Sequence, residues 1–229
     1  MRVIIPLAGP DFILPDGTLK AQIDYHGKPL LRHIVDSRPW KNSSTHISFV
    51  LFDCHSTRVF ASECLAEWYP KSTITFLSNY TRGAALSALA GIVMGQDHSE
   101  PITVDLADIL YQSTLDPVAR LAESRNIGGI ALTFFSSNPA YSYLRLNSKG
   151  HVIEAAEKRV ISEYASAGTY VFRNTSIYLR ALAHSLENEA AYAFSGLFYI
   201  CPLFNGVLHQ GIDVVVEPVA NVFDNKVKY

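Results

Sequence analysis

A carboxylate and a run of small residues stand at the ends of two strand-like segments in the first half of the chain. Asp108 comes two residues after the apolar segment 102–106, and Gly83 and Ala84 open a helical segment that follows residues 73–77. A carboxylate at the end of a strand can hold Mg²⁺, which prefers oxygen ligands and the phosphates of a substrate. Small residues at a helix start let a flat base lie close to backbone N–H groups. These positions predict a site for a phosphorylated ligand that carries a flat ring.

A third candidate region follows the first strand-like segment, residues 2–7, where the sequence reads "VIIPLAGPDFILPDGTLK". A buried strand that runs into a glycine turn often leads to a phosphate-binding loop, and here the turn consists of Leu7, Ala8 and Gly9. Such loops usually carry glycines and a cation, whereas this one continues with Pro-Asp-Phe-Ile at positions 10–13. Pro10 lacks a backbone donor, and Asp11 adds a negative charge. The loop therefore departs from the usual composition of a phosphate-binding loop.

The elements that must position these residues follow a regular order. Apolar runs of strand length alternate with segments of helical period through the first half of the chain. The predicted strands are residues 2–7, 47–53, 73–77 and 102–106, and the predicted helices are residues 28–38, 57–68 and 82–94. This order predicts an α/β fold with a mostly parallel central sheet and helices on both faces. Ligands of such sheets bind at the carboxyl ends of the strands, where all three candidate regions lie.

The second half of the chain has a different pattern. Strands are predicted for residues 129–135 and 168–172, and a β-hairpin for residues 141–146 and 151–154 with its turn at residues 147–150. Helices are predicted for residues 174–186 and 199–209. We interpret the chain as a single domain, 1–229, in which residues 1–127 bind a nucleotide and residues 128–229 shape an acceptor pocket around the hairpin.

Composition excludes several classes of function. The 229 residues are 48% hydrophobic, which is enough for a sizeable core. The 19 basic and 21 acidic residues give a net charge of -2, which does not favour a nucleic-acid partner. Three widely spaced cysteines form neither a disulfide framework nor a zinc pattern. Because the chain shows no signal segment and no apolar run that could span a bilayer, we expect a cytoplasmic protein without a membrane partner.

Several motifs, taken in order, resemble those of the sugar-phosphate nucleotidyltransferases, whose α/β sandwich is related to that of the GT-A glycosyltransferases. "LKAQIDYHGKPLLRHIVD" is similar to the family's two-lysine run and aligns Lys20 and Lys28 with its lysines. "TRGAALSAL" resembles the segment that receives the base, and "VDLADILY" the strand that ends in the metal-binding aspartate. The sugar-side hairpin, a Glu-Lys pair and an A-G-x-Y-x-F strand follow in "YSYLRLNSKGHVIEAAEKRVISEYASAGTYVFRN". The resemblance covers nearly the whole chain.

The resemblance implies a reaction in which a nucleoside triphosphate is joined to a small phosphorylated acceptor, such as a sugar phosphate for surface-polysaccharide synthesis, with release of pyrophosphate. It assigns Lys20 to the transferring phosphates, Asp108 to Mg²⁺ and Lys158 to the acceptor phosphate. The implied nucleotide-binding residues are Leu7, Ala8, Gly9, Arg82, Gly83 and Ala84. The implied acceptor-binding residues are Tyr143, Glu157, Lys158, Gly168 and Tyr170. A homo-oligomer is compatible with the resemblance.

The first loop departs from the family. The family's loop reads G-x-G-T-R, and no arginine lies between Val3 and Lys20 here. Gly17 and Thr18 could supply phosphate contacts if the loop folds back, and so could Arg82. Each candidate also has a purely structural interpretation, as a surface lysine for Lys20 and Lys28, a turn cap for Asp108, or a solvated ion pair for Glu157 and Lys158. Asp224 matches the family's second metal ligand poorly.

Three hypotheses therefore stay open. The first is an active nucleotidyltransferase, and the second is a nucleotidyltransferase-like protein that has lost activity and serves as a binding or regulatory module. The third is a GT-A glycosyltransferase, which would require a D-x-D motif where this chain has Asp105 and Asp108 separated by two residues. Release of pyrophosphate distinguishes the first hypothesis from the other two.

Overall fold

The fold is described from a computed structural model that covers residues 1–42, 46–95 and 97–224, without the side chains of residues 41, 42 and 224. The strands are β1 (Arg2–Leu7), β2 (Asp24–Tyr25), β3 (Lys28–Pro29), β4 (His46–Phe52), β5 (Thr73–Leu77), β6 (Ile102–Asp105), β7 (Ile109–Gln112), β8 (Ile127–Phe135), β9 (Tyr143–Leu146), β10 (Val152–Ala156), β11 (Tyr164–Phe172), β12 (Asp213–Pro218) and β13 (Ala220–Asp224). The helices are α1 (Leu30–Ser37), α2 (His55–Phe60), α3 (Ala66–Trp68), α4 (Ala84–Val93), α5 (Pro117–Ala122), α6 (Thr175–Glu187), α7 (Glu189–Tyr192) and α8 (Leu203–His209). A π-helical segment, Ala61–Leu65, joins α2 to α3, and 3₁₀ turns occupy Lys20–Gln22 and Pro39–Asn42.

One large sheet organises the described residues. Strands β5, β4, β1 and β6 lie side by side and parallel, in that order. Strand β11 continues the sheet antiparallel to β6, and β8 and then β12 follow it. The first residues of β11 also pair with β9, which carries β10 on its other side. This arrangement confirms the predicted α/β class with its mostly parallel first half and its hairpin in the second half.

Both faces of the sheet are covered, as the sequence predicted. Alternate residues of β1 belong to different cores: Ile4 packs with the α4 side, and Val3 and Ile5 pack with the α1 side. Helix α4 approaches β1 so closely that a Cβ on Gly91 would lie 2.9 Å from Cγ2 of Ile4. The glycine therefore allows the contact between helix and sheet. Because β1 is buried on both faces, its carboxyl end opens only at the edge of the sheet.

Several predicted boundaries change in the structure. The helix predicted for residues 28–38 starts at Leu30, because Lys28 and Pro29 pair with β2 instead. The helix predicted for residues 57–68 starts at His55 and is interrupted by the π-helical segment. The helix predicted to begin at residue 199 begins at Leu203, after Pro202, and the strand predicted for residues 168–172 extends back to Tyr164.

Seven elements were not predicted, namely the short β2, β3 and α7, and in addition β7, α5, β12 and β13. Helix α5 had a signal in the sequence, since Asp116 accepts hydrogen bonds from two backbone N–H groups and Pro117 occupies the first turn. Strands β7, β12 and β13 are short and pair with partners far away in the chain, β12 with β8 and β13 with β7. Such pairing depends on tertiary structure and has no strong local pattern.

Candidate active site

The loop after β1 is a compact hairpin. Phe12 N donates to Gly9 O at 3.1 Å, Ile13 forms an antiparallel bridge with Leu19, and Leu14 N donates to Thr18 O at 2.8 Å. Phe12 is 6% exposed, and its ring lies 6.2 Å from that of Phe60. An aromatic anchor therefore holds this loop against the core, in place of a glycine-rich wrap around phosphates.

The two loop residues proposed as substitutes for the missing arginine have their backbone donors engaged. Gly17 N donates to Leu14 O at 2.8 Å, and Thr18 N donates to Oδ1 of Asp16 at 2.9 Å. Gly17 has φ of +86° at the tip of the hairpin. The loop does fold back, but its tip is closed by its own hydrogen bonds.

Lys20 lies at the base of this hairpin. Its backbone N–H donates to Phe12 O at 3.0 Å, and its Nζ donates to Oδ2 of Asp11 at 2.6 Å. Both side chains reach the surface, with exposures of 41% for Lys20 and 78% for Asp11. The ammonium is therefore accessible to a ligand and is already neutralised by a carboxylate of its own loop.

Lys28 has a structural partner. Its Nζ lies 2.5 Å from Oδ2 of Asp36, one helix length along α1, and both side chains are partly buried. Asp36 also accepts a hydrogen bond from the Tyr69 hydroxyl at 3.5 Å. This geometry supports the structural interpretation of Lys28, whose charge ties the β3–α1 junction to the body of α1.

Asp108 follows β6, the strand adjacent to β1. Ile4 lies opposite Val104 in this parallel pair, so the loops after both strands leave the sheet at the same edge. Ala107 has φ of +52°, a backbone conformation that is rare for residues other than glycine. Gly168 of β11 faces the carboxylate, since a Cβ built there would lie 2.9 Å from Oδ1 of Asp108. The half-buried Asp108 side chain thus lies between β6 and a glycine that leaves room for it.

Asp108 offers one carboxylate at this edge of the sheet that could serve a magnesium ion arriving with a phosphorylated substrate. No group of three or more histidine, cysteine, aspartate or glutamate side chains that could hold a metal occurs among the described residues. Mg²⁺ commonly uses one or two protein carboxylates and takes its other ligands from phosphates and water. Asp108 could supply such a carboxylate, and the side chain of Asp224 lies outside the described residues.

Asp105 lies directly under the turn that carries Asp108. Arg38 Nε donates to Oδ2 of Asp105 at 2.7 Å, and Nη2 donates to Oδ1 at 3.1 Å. The side chains are 0% and 1% exposed, respectively. Burial opposes the charged form of Arg38, but the combined effects of Asp105, Tyr111 and Asp108 outweigh it, so that the pKa of the guanidinium is raised. Sequence reasoning missed this pair because nothing local links residue 38 to residue 105.

The start of α4 is closed by a distant segment. Gly83 has φ of +104°, and a Cβ there would lie 2.4 Å from Phe198 O. Phe198 N donates to Arg82 O at 2.8 Å, and Ala85 N donates to Phe198 O at 3.0 Å. Glycine at position 83 is therefore required by a backbone contact, and the half-buried Ala84 begins the helix beside it.

Arg82 does not take the place of the missing loop arginine in this structure. Its guanidinium forms an ion pair with Glu189, donates to Gly196 O at 3.1 Å and lies 5.2 Å from the centre of the Phe198 ring. The hydrogen bond to Glu189 raises the pKa of Arg82. These contacts hold Arg82 against residues 189–198. Leu7 and Ala8 are 7% and 3% exposed, so only their backbone atoms could contact a nucleotide.

On the acceptor side, Lys158 lies beside a cleft of about 830 Å³ between the β10 end and residues 191–194. Its Nζ lies 5.3 Å from the centre of the Phe194 ring and 5.5 Å from that of Tyr199, and its own φ is +48°. The neighbouring Glu157 accepts a hydrogen bond from the Ser142 hydroxyl. Glu157 is thus partly buried and bonded to Ser142, whereas the exposed Lys158 lies near two aromatic rings that were not predicted.

Two predicted acceptor-binding tyrosines are buried behind this cleft. Tyr143 is 0% exposed, and its hydroxyl donates to Asn138 O at 2.7 Å. Tyr170 is 2% exposed, accepts a hydrogen bond from the Ser166 hydroxyl at 2.8 Å and has its pKa raised well above the usual value by burial. In this structure neither ring reaches the cleft surface, because β11 and β9 direct both into the core. Gly168 of the same strand contacts Asp108 instead.

Comparison of the whole chain with solved structures identifies its fold. It superimposes on the nucleoside-diphosphate-sugar pyrophosphorylase from Vibrio cholerae RC9 with a TM-score of 0.84 and 25% identity, over 100% of this chain and 96% of that one. The chain has the fold of the sugar-phosphate nucleotidyltransferases. The resemblance that the sequence motifs indicated is thereby confirmed, including its extent over nearly the whole chain.

More distant structures share the nucleotidyltransferase fold. The inositol-1-phosphate CTP transferase from T. maritima matches with a TM-score of 0.69 and 15% identity, over 97% of this chain and 86% of that one. A UDP-glucose pyrophosphorylase in complex with UDP-glucose also gives 0.69, with 16% identity over 96% of this chain and 90% of that one. No family model matches the sequence, and no curated protein sequence does. In the described part of the chain, no helix has the length and apolar character to cross a membrane.

Proposed function

We propose that this nucleotidyltransferase-fold protein joins a nucleoside triphosphate to a sugar phosphate, releases pyrophosphate and supplies an activated sugar for surface-polysaccharide synthesis. One observation carries the proposal: the loops that bear Lys20 and Asp108 leave neighbouring parallel strands at the same edge of the sheet. A cation for phosphates and a carboxylate for their metal ion thus lie on adjacent loops. The full-length similarity to a nucleoside-diphosphate-sugar pyrophosphorylase supports the class of reaction.

In the proposed reaction, an oxygen of the acceptor phosphate attacks the α-phosphorus, the α–β anhydride bond breaks, and pyrophosphate leaves with the bonding electrons. Positioning of the reactants and neutralisation of their charge account for most of the rate acceleration in such transfers. Asp108 would hold Mg²⁺, which when bound neutralises the triphosphate. Lys20 would turn from Asp11 to the transferring phosphates, and Lys158 would bind the acceptor phosphate at the mouth of the cleft.

A second candidate, a binding module without turnover, is favoured by the ion pair between Lys20 and Asp11. The family's arginine is absent from this loop, and the loop lysine is neutralised in the free protein. Both features lower the positive charge available to a triphosphate, which carries about four negative charges. A protein of this kind would bind nucleotide weakly and would release no pyrophosphate.

The decisive experiment measures pyrophosphate release from each of the four triphosphates with Mg²⁺ and a panel of sugar 1-phosphates. Release that requires both substrates and is lost in Lys20→Ala supports the proposed enzyme. Binding in a thermal-shift assay without release supports the binding module, because a ligand that binds only the native state raises its melting temperature. Transfer from a nucleotide sugar with release of a nucleoside diphosphate would instead indicate a glycosyltransferase.

A further inference from the structure

We propose that Arg38 and Asp105 form a buried positioning pair that fixes the turn carrying Asp108 and thereby orients its carboxylate toward a divalent cation. The inference rests on the proposed function, in which Asp108 binds the metal ion of the triphosphate. It gives a role to two residues that lie outside the acceptor-side cleft. Neither their sequence context nor their exposure indicated this role. Neither residue is proposed to touch the metal or the substrates.

The Arg38 guanidinium is bonded at two places that flank the Asp108 turn. Arg38 directly follows α1 and caps it, and Asp105 is the last residue of β6. Two hydrogen bonds of 2.7 and 3.1 Å join them, and Nη2 of Arg38 also donates to Ile109 O, the first residue of β7, at 3.0 Å. One side chain is therefore bonded on both sides of residues 106–108, to the side chain of Asp105 and to the backbone of Ile109.

The turn that carries Asp108 has an unusual backbone conformation. Oδ1 of Asp105 accepts a hydrogen bond from Ala107 N at 2.9 Å, and Leu106 N donates to Gly168 O at 2.9 Å. Ala107 has φ of +52°, which alanine adopts only when surrounding contacts compensate the steric cost. The Asp105 carboxylate supplies such a contact at the residue that precedes Asp108.

Tyr111 and Thr169 connect the pair to β11. The Arg38 guanidinium lies 3.7 Å from the centre of the Tyr111 ring, and the Tyr111 hydroxyl is 2.6 Å from Oγ1 of Thr169. Thr169 follows Gly168, which faces Oδ1 of Asp108. The pair, the turn and the β11 glycine thus form one connected layer around the candidate ligand.

Stability alone gives a weak reason for such a pair. Buried ion pairs can often be replaced by well-packed hydrophobic residues of similar volume with little loss of stability, because the cost of removing two charges from water offsets their attraction. Outer partners of metal ligands, in contrast, commonly change metal affinity by about 10-fold to 100-fold when they are altered. A positioning role therefore predicts an effect on metal binding that exceeds the effect on folding.

The test uses the full-length protein with Mn²⁺ and inorganic tripolyphosphate, a probe that needs no knowledge of the base. Water-proton relaxation reports Mn²⁺ bound to the protein, and thermal melts without ligand report folding. Four proteins are compared: the natural chain, Asp108→Asn, the double variant Arg38→Gln with Asp105→Asn, and Arg173→Gln. The last is a matched control, since Arg173 also donates to backbone carbonyls, those of Leu121, Ser124 and Ile127, but is bonded outside the Asp108 turn.

We expect the double variant to weaken Mn²⁺–tripolyphosphate binding by about tenfold while it stays folded, and Arg173→Gln to leave binding unchanged. Loss of binding in Asp108→Asn together with unchanged binding in the folded double variant would overturn the positioning role alone. Unchanged binding in Asp108→Asn, or no binding by the natural chain, would overturn the metal site of the proposed function and the inference with it.

If the double variant does not fold, Arg38→Lys provides the second test. Lysine keeps the charge opposite Asp105, but its single ammonium cannot reproduce the planar fork that reaches both the carboxylate and Ile109 O. A smaller loss of Mn²⁺ affinity than that of Asp108→Asn is expected at nearly natural stability. Natural Mn²⁺ affinity in folded Arg38→Lys would contradict the proposal.

Discussion

Nζ of Lys20 donates to Oδ2 of Asp11 at 2.6 Å, so the lysine assigned to the transferring phosphates is neutralised by a carboxylate of its own loop. Exposed ion pairs contribute at most about 1 kcal/mol, so a triphosphate accompanied by a metal ion can displace this one. Once displaced, however, Asp11 remains beside the new ligand and repels it. The pair therefore weakens binding of phosphates without blocking their access.

Removal of this carboxylate should strengthen triphosphate binding. Asp11→Asn keeps the size of the side chain and leaves Lys20 free to bind phosphates. We expect the dissociation constant to fall about fivefold, equivalent to about 1 kcal/mol. The gain should be larger at low ionic strength, where exposed charges are less screened. Isothermal titration with the triphosphate that binds best, at two salt concentrations, measures both effects.

A matched control for Asp11→Asn is Glu67→Gln, which removes the same charge from an exposed position on α3. Equal gains in the two variants would indicate a general effect of net charge, and unchanged affinity in Asp11→Asn would contradict the proposed role of the ion pair. Restoring the family's arginine with Ile13→Arg is a poorer test, because Ile13 is bridged to Leu19 and packs against the core.

The two lysines of the "LKAQIDYHGKPLL" run should differ in kind. Lys20→Ala is expected to lower pyrophosphate release by at least about tenfold, since a charge-assisted hydrogen bond to phosphate is worth about 1.5–3 kcal/mol. Lys28→Ala breaks the contact with Asp36 and should lower the melting temperature with little effect on turnover. Steady-state kinetics and thermal melts of both variants test this contrast. It would be wrong if Lys28→Ala abolished turnover in a folded protein.

Lys158 should affect the acceptor more than the nucleotide. Its ammonium lies over two aromatic rings beside the acceptor-side cleft, away from the β1 and β6 loops in the chain. Lys158→Ala is expected to raise KM for the sugar phosphate about tenfold, with a much smaller change for the triphosphate, since one charged contact is lost. Lys149→Ala, at the exposed tip of the β9–β10 hairpin, is the control. A larger change in KM for the triphosphate would argue against the acceptor role.

Gly168 should be required for the Asp108 site. Gly168→Ala and Gly150→Ala both place a Cβ at a positive φ, of +79° and +80°, which costs roughly 1–2 kcal/mol. Only at Gly168 would the Cβ meet a side chain, 2.9 Å from Oδ1 of Asp108, whereas Gly150 has open space around it. We therefore expect both variants to lose stability in urea titrations. Gly168→Ala alone should also weaken Mn²⁺–tripolyphosphate binding, and equal metal affinity in the two would contradict this.

The sequence by itself determined the class of fold and the order of the main strands and helices of its first half. Residues 3–7 are apolar on both faces because parallel strands are buried between helices, and this pattern is visible without a structure. The motif order from Lys20 to the A-G-x-Y-x-F strand likewise indicated the family before any fold was known. Each motif is local, since it depends on residues within one strand, turn or helix, and the order of the motifs is read directly along the chain.

Tertiary structure decided which side chains surround the candidate site. The partners Arg38 and Asp105 are separated by 67 residues, and Gly83 and Phe198 approach across more than a hundred. Tyr143 and Tyr170 resembled pocket residues in sequence but are buried, because the direction of a strand side chain depends on which sheet face it meets. In the sequence, Asp11 only added a negative charge that would repel phosphate. In the structure, Phe12 anchors the hairpin that brings Asp11 to Lys20. Contacts of this kind depend on how distant segments pack, and no local pattern encodes that packing.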